Sequence, residues 1–285
     1  MNKALKLTAG LIAAGTIVTA TAPSISSFYN VSANELAKGN YSSSKATTLK
    51  QAEKRAVSEN GEYTHKQTQK DAKVVKTSNE NTDVAEEKFN QVADSSETTV
   101  ESESAGDVQV TTATTDEDNK VAGVKVTNSE DNTTVTVMND GQHLTVDKTT
   151  FDENTGKYTT EQRLFDLNIA NNDGSATNVA YGYFSYTGIA VGRDVLATAI
   201  DLGISGLTGR AAFIALPRVV AGALGVSVST VNKIQQYSLA GGFGYASQKL
   251  NPGTYIAYNL DKNGNGWVGV YSKTDRTGDS VYMTQ

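Results

Sequence analysis

The chain has no cysteine, two histidines, three prolines and a single tryptophan. Without cysteine there are no disulfide staples, thiol nucleophiles or thiolate metal ligands, so stability must come from packing. Histidine is confined to His65 and His143, which excludes metal sites of the His/Cys type by count. A Ser-His-Asp triad would have to use His143, and no serine sits in a nucleophile-elbow glycine pattern. A glycosidase built on carboxylates alone stays open on composition. Beyond residue 187, however, the acids are only Asp194, Asp201, Asp261, Asp275 and Asp279, mostly at predicted turns or helix ends. The inventory points away from an enzyme and calls for no cofactor or metal.

What is present begins with an export signal. Lys3 and Lys6 precede an apolar, small-residue stretch over 7–22 that is short for a membrane span. Pro23 ends it, and Val31-Ser32-Ala33 offers a cleavage site before Asn34, with Ala20-Thr21-Ala22 as the alternative. Residues 1–33 are therefore read as a signal peptide and the protein as secreted. Residues 34–106 are polar and poor in aromatics, a composition that predicts a disordered arm or pro-segment. Charge is segregated along it: nine basic and five acidic residues over 34–76, then nine acidic and one basic over 80–107.

From Asp107 the pattern has period two. Val108, Val110 and Thr112 alternate with polar residues, and the runs 121–127 and 133–138 follow. Asn139-Asp-Gly141 is a hairpin turn signal leading into 143–146, and a further strand is expected over 158–167. The region 107–170 thus predicts an antiparallel meander. Across 178–250 the chain is apolar. Helices are expected over 189–203, over 209–224 with a kink or split at Pro217, and from Ser227 to about Leu239. Over 251–285 the pattern returns to strands at 254–260, 267–272 and 280–283, with Asp261-Lys-Asn-Gly-Asn-Gly266 turning the first pair. That hexapeptide matches the first half of a calcium loop, but Ser272 stands where a bidentate Glu belongs, so a plain turn is the better reading. The fold class is α+β: a meander, a cluster of short apolar helices, and a C-terminal hairpin or three-stranded element.

Residues 218–234 resemble the helix-turn-helix of bacterial DNA-binding regulators. Ala221 is the small residue, Gly225 the turn and Ser227 the cap, with Val231 and Ile234 facing inward. The second helix has one lysine and no arginine, and the chain is acidic at −6, so nucleic acid is not the expected partner. Only the geometry of a tight helical corner is carried forward.

The stretch 187–250 has a net charge of +3, against −9 for everything outside it. Residues 211–225 are apolar nearly all round, the mark of a helix that is either buried or membrane-bound. A cationic apolar element in an acidic exported chain suits an anionic bacterial membrane. The candidate contacts are Arg193, Arg210, Phe213, Arg218 and Lys233, with Trp267 and Tyr271 as aromatic anchors or ordinary sheet residues.

In its signal peptide, size, lack of cysteine, polar N-terminal half and Gly/Ala-rich apolar C-terminal half, the chain resembles the geobacillin-type large secreted bacteriocins of Gram-positive bacteria. The likeness is architectural and assigns no residue. It implies killing of related strains by disturbing the membrane. The expected partners are anionic lipids or the cell envelope, with an immunity protein as a further candidate. The other function class that fits is a non-catalytic secreted or cell-surface module binding a wall polymer or protein.

Overall fold

The computed structural model describes residues 72–80, 84–167, 184–239, 241–249, 251–262, 264, 266–274 and 280–284. All belong to one contact unit, Thr47–Gln285. The expectations for the signal peptide and for the arm up to residue 71 lie outside the described residues.

The alternating Val/Thr pattern produces the expected meander. Strands β3 (Val108–Thr115), β4 (Val121–Asn128), β5 (Thr133–Asn139), β6 (His143–Asp152) and β7 (Lys157–Asp166) each pair antiparallel with the next. At the β5–β6 hairpin, Gly141 takes φ +85° and the Asp140 carboxylate accepts the backbone N–H groups of Gln142 and His143.

The reading of 34–106 as a disordered arm is corrected from residue 72 onward. Strand β1 (Ala72–Glu80), helix α1 (Val84–Ala93) and strand β2 (Thr98–Ala105) are part of the fold. β1 pairs with β7 and β2 with β3, giving a seven-stranded sheet of order β1-β7-β6-β5-β4-β3-β2. The polar segment therefore takes both edges of the sheet, with α1 on the way between them. Edge pairing is made by backbone groups, which need little apolar side-chain surface. Composition alone misses it for that reason.

The register sorts the two faces. Val124, Val137 and Val146 lie opposite one another on the face that meets the helical layer. Lys125, Thr136 and Asp147 share the other face, which α1 covers. Phe89 of α1 is buried there, and a Cβ on Gly123 would stand 3.4 Å from its ring. Two ion pairs flank it: Lys88 to the buried Asp147 at 3.0 Å and Glu86 to Lys125 at 3.1 Å.

The helical layer comprises α2 (Arg193–Gly203), α3 (Gly209–Leu224), α4 (Val228–Ser238), α5 (Gly242–Ala246) and α6 (Pro252–Leu260). A small antiparallel sheet of order β10-β9-β8 adjoins it, formed by β8 (Ser185–Gly192), β9 (Trp267–Thr274) and β10 (Ser280–Thr284). The α+β class and the order of its parts hold, while three local expectations change. Residues 189–192 finish strand β8, so the first helix starts at Arg193 and not at Ile189. Residues 254–260 are helical, with Pro252 in the first turn and the Gly253 N–H bound by Asp201 at 2.6 Å. The third strand of the small sheet is therefore β8, and 261–266 links a helix to a strand. Helix α3 is also not split at Pro217 but continues as one helix past it. In that turn the Arg218 Nη1 donates to the Ile214 carbonyl at 2.9 Å, a side-chain donor beside the one the proline lacks.

Candidate functional site

Helix α3 is the centre of the molecule. It carries only Arg210 and Arg218 as charges in 16 residues, and most of its circumference is buried. One side lies on the large sheet so closely that a Cβ on Gly222 would stand 3.1 Å from Val124 Cγ2. Another side meets α2, where a Cβ on Gly203 would stand 2.6 Å from Val219 Cγ1. Small residues thus set both approach distances, and apolar burial of this extent dominates the stability of the layer.

The corner after α3 forms as its sequence predicts. Gly225 adopts the left-handed conformation, φ +65° and ψ +41°. Ser227 Oγ accepts the Thr230 N–H at 3.0 Å, capping α4. Ala221, Val231 and Ile234 are buried. A contact that the sequence did not reveal closes the corner: Asn139 Nδ2, from the β5–β6 turn, donates to the Ala223 carbonyl at 3.0 Å. Helices α3 and α4 meet at a bend of 103°. Among the described residues, no single helix is long and apolar enough to cross a membrane. Gly209–Leu224 and Val228–Gln236 meet that length and composition only as a bent pair.

The seven predicted contact residues fall in different settings. Arg210 is exposed at the start of α3, and Phe213 is half-buried one turn later. Arg218 Nη2 donates to Glu103 Oε2 of β2 at 2.8 Å, so the acidic edge strand holds the mid-helix cation. Lys233 of α4 lies 5.8 Å from the Tyr282 ring centroid on β10. Trp267 and Tyr271 share a face of β9, but Tyr271 is buried against Tyr186, with ring centroids 5.5 Å apart. Burial pushes both phenol pKa values up. Trp267 is half-buried, and its register partner is Gly192.

Arg193 is tied into the frame. Its guanidinium stacks 3.9 Å from the Tyr258 ring centroid, donates to Asp261 Oδ2 at 3.1 Å and approaches Asp194 at 3.4 Å. Burial works against its charge, but Tyr258, Asp194 and Asp261 more than offset this and hold its pKa above the usual guanidinium value. The Asp261 carboxylate also receives the Gly264 and Gly266 N–H groups at 2.8 and 3.1 Å. Both its oxygens are thus engaged by donors, which makes the hexapeptide a helix-to-strand clasp.

One role escaped sequence reasoning, although its residue is counted among the acids. Asp201, on α2, accepts the Gly253 N–H at the start of α6 and lies 3.5 Å from Thr254 Oγ1. Burial pushes its pKa up to about 6, against the lowering effect of its Gly253 and Thr254 donors. A Cβ at Gly253 would collide with the Ala197 carbonyl, so this glycine lets the two helices touch. No local pattern marks a carboxylate that caps a helix fifty residues downstream.

The site, taken together, is a nearly uncharged helical corner held from the sheet side by Glu103 and Asn139 and from behind by α2, which α6 backs in turn. Compared with protein-family models, with curated proteins and with solved structures, the chain matches none.

Proposed function

We propose that this is a secreted antibacterial protein of the bacteriocin class, acting on the membrane of related bacteria through the helical unit α2–α5. The observation that carries the reading is helix α3. It is apolar nearly all round, packed on the valine face of the large sheet, and joined through a tight corner to α4, with which it reaches the length and composition of a span. In the resting form these surfaces face one another and the chain stays soluble. On an anionic bilayer, the +3 stretch is drawn to the surface and the unit exchanges its sheet contacts for lipid. The mode is rearrangement of a packed unit, since each helix is too short to insert as a preformed span. A dedicated core helix would have the same burial. What favours a mobile role is the charge contrast between this stretch and its surroundings.

The absence of cysteine supplies a clean test. A Val124→Cys/Gly222→Cys pair would join the sheet to α3 in an otherwise thiol-free protein. Dye release from phosphatidylglycerol-rich vesicles and killing of related Gram-positive strains should be lost in the oxidised protein and return on reduction. Equal activity in both forms would show that α3 never leaves the sheet. No release by the unmodified protein, even at low salt, would remove the membrane reading altogether.

A further inference from the structure

At one end of the large sheet, beside β8, lies an open groove of about 580 Å³. Its apolar floor comes from Val121, Leu167, Ile189, Val191 and Leu224. Its rim is acidic. Glu97 projects from the α1–β2 turn, Glu117 and Asp118 from the β3–β4 turn, and Asp140 from the β5–β6 turn. Lys120 is the one basic lining residue, and Asp118 already holds it at 2.8 Å. Asp140 is spent on the backbone of its own turn. Glu97 and Glu117 are left to face the groove with no ion pair recorded among the described residues.

The groove has a second property independent of charge. Gly188, Ile189, Ala190 and Val191 line it in succession. The run is consecutive because the β8–β9 ladder is irregular between Tyr186 and Ala190, where Gly188 takes φ +85°, and regular pairing resumes at Ala190. β8 pairs with β9 on one side and, among the described residues, ends the small sheet. Its outer edge offers backbone N–H and C=O groups to a further strand. The groove thus combines a strand template, an aliphatic floor and two unneutralised carboxylates.

We propose that this groove binds an extended, lysine- or arginine-bearing segment of a partner protein, added as a strand to the outer edge of β8. The peptide backbone would pair with the regular stretch of β8 from Ala190 to Gly192. Aliphatic side chains on one face would sit over Ile189 and Leu224, and basic side chains would reach Glu97 and Glu117. The inference goes beyond the membrane reading and does not rest on it. It gives the protein a place to be recognised by another polypeptide while the helical unit stays packed.

The probe is a fluorescein-labelled peptide alternating Lys and Val over eight residues, titrated into the full secreted chain and followed by anisotropy. Saturable binding is expected, weakened about tenfold in Glu97→Gln/Glu117→Gln and by 0.5 M salt. It should be abolished when alternate peptide nitrogens are methylated, since that removes the strand hydrogen bonds. Both glutamates are on turns, so the double variant should keep the wild-type circular dichroism and Tm. Equal binding of a Glu/Val peptide or of the methylated peptide would overturn the proposal. So would a concentration-dependent dimer that the peptide cannot displace, which would make a second copy the occupant. Vesicle dye release by the double variant, measured in parallel, should be unchanged and keeps this result separate from the membrane reading.

Discussion

Glu103 and Arg218 meet at 2.8 Å across 115 positions of sequence, joining the acidic edge strand to the middle of the apolar helix. The pair is partly exposed, so its stabilising effect is modest, about 0.5–1 kcal/mol. Its position matters more, because it restrains the one cation in the interior of α3. In Glu103→Gln, Tm should fall by a few degrees, while dye release from anionic vesicles should become faster. Unchanged release kinetics at the lowered Tm would separate this contact from the rearrangement.

Gly203 and Val219 set the spacing of α2 and α3. A methyl at position 203 would intrude on Val219, so Gly203→Ala should destabilise by about 1–3 kcal/mol through overpacking. Val219→Ala alone leaves a cavity of two methyl groups. In the double variant the added carbon fills part of the space removed, and urea denaturation should give a cost smaller than the sum of the two. Strict additivity would show that the helices do not pack as described.

The pH dependence follows from Asp201. Its pKa is raised from 3.8 to about 6 in the fold. Between those values the native state holds more proton than the unfolded chain, so stability falls as pH rises. The contribution is fully present below about pH 4 and lost as pH climbs through about 6, for an upper bound of about 3 kcal/mol. Asp201→Asn should flatten this limb of a denaturation-against-pH profile while keeping an acceptor for the Gly253 N–H. A profile rising from pH 4 to 6, with the rise removed by the substitution, would reverse the assignment.

On the opposite face, Lys88 is the partner of a carboxylate that is 1% exposed. Lys88→Met would leave the Asp147 carboxylate unpaired beneath α1, at a cost of about 3–5 kcal/mol. Adding Asp147→Asn should recover much of it, because the buried charge then disappears. If Lys88→Met is neutral to thermal unfolding, α1 is not docked as the ion pair indicates.

Legibility followed the range of the interactions. The meander from β3 to β7 was readable because alternation and turn residues are local, and each strand pairs with its sequence neighbour. The corner at Gly225 was readable for the same reason, down to the Ser227 cap. Strand β1 was not, since its partner β7 is distant and its residues are those of a solvated arm. Residues 254–260 have the β-branched and aromatic content of a strand, yet tertiary contact with α2 through Asp201 and Gly253 makes them helical. Within the site, the arginines were visible as charges but their partners were not. Glu103, Asp194 and Asp261 look like any other acids until the fold delivers them.

Pairing β1 with β7 also has a consequence in time. The strand ending at Glu80 finds its partner only after residues 157–166 have been made, whereas every hairpin of the meander closes on its immediate neighbour. During synthesis, that strand must wait with its backbone unpaired. Closure of a loop this long is slow compared with hairpin formation. The sheet therefore completes late, and the helices that follow it can pack only on a template whose final edge is set by a strand made before all the others in it.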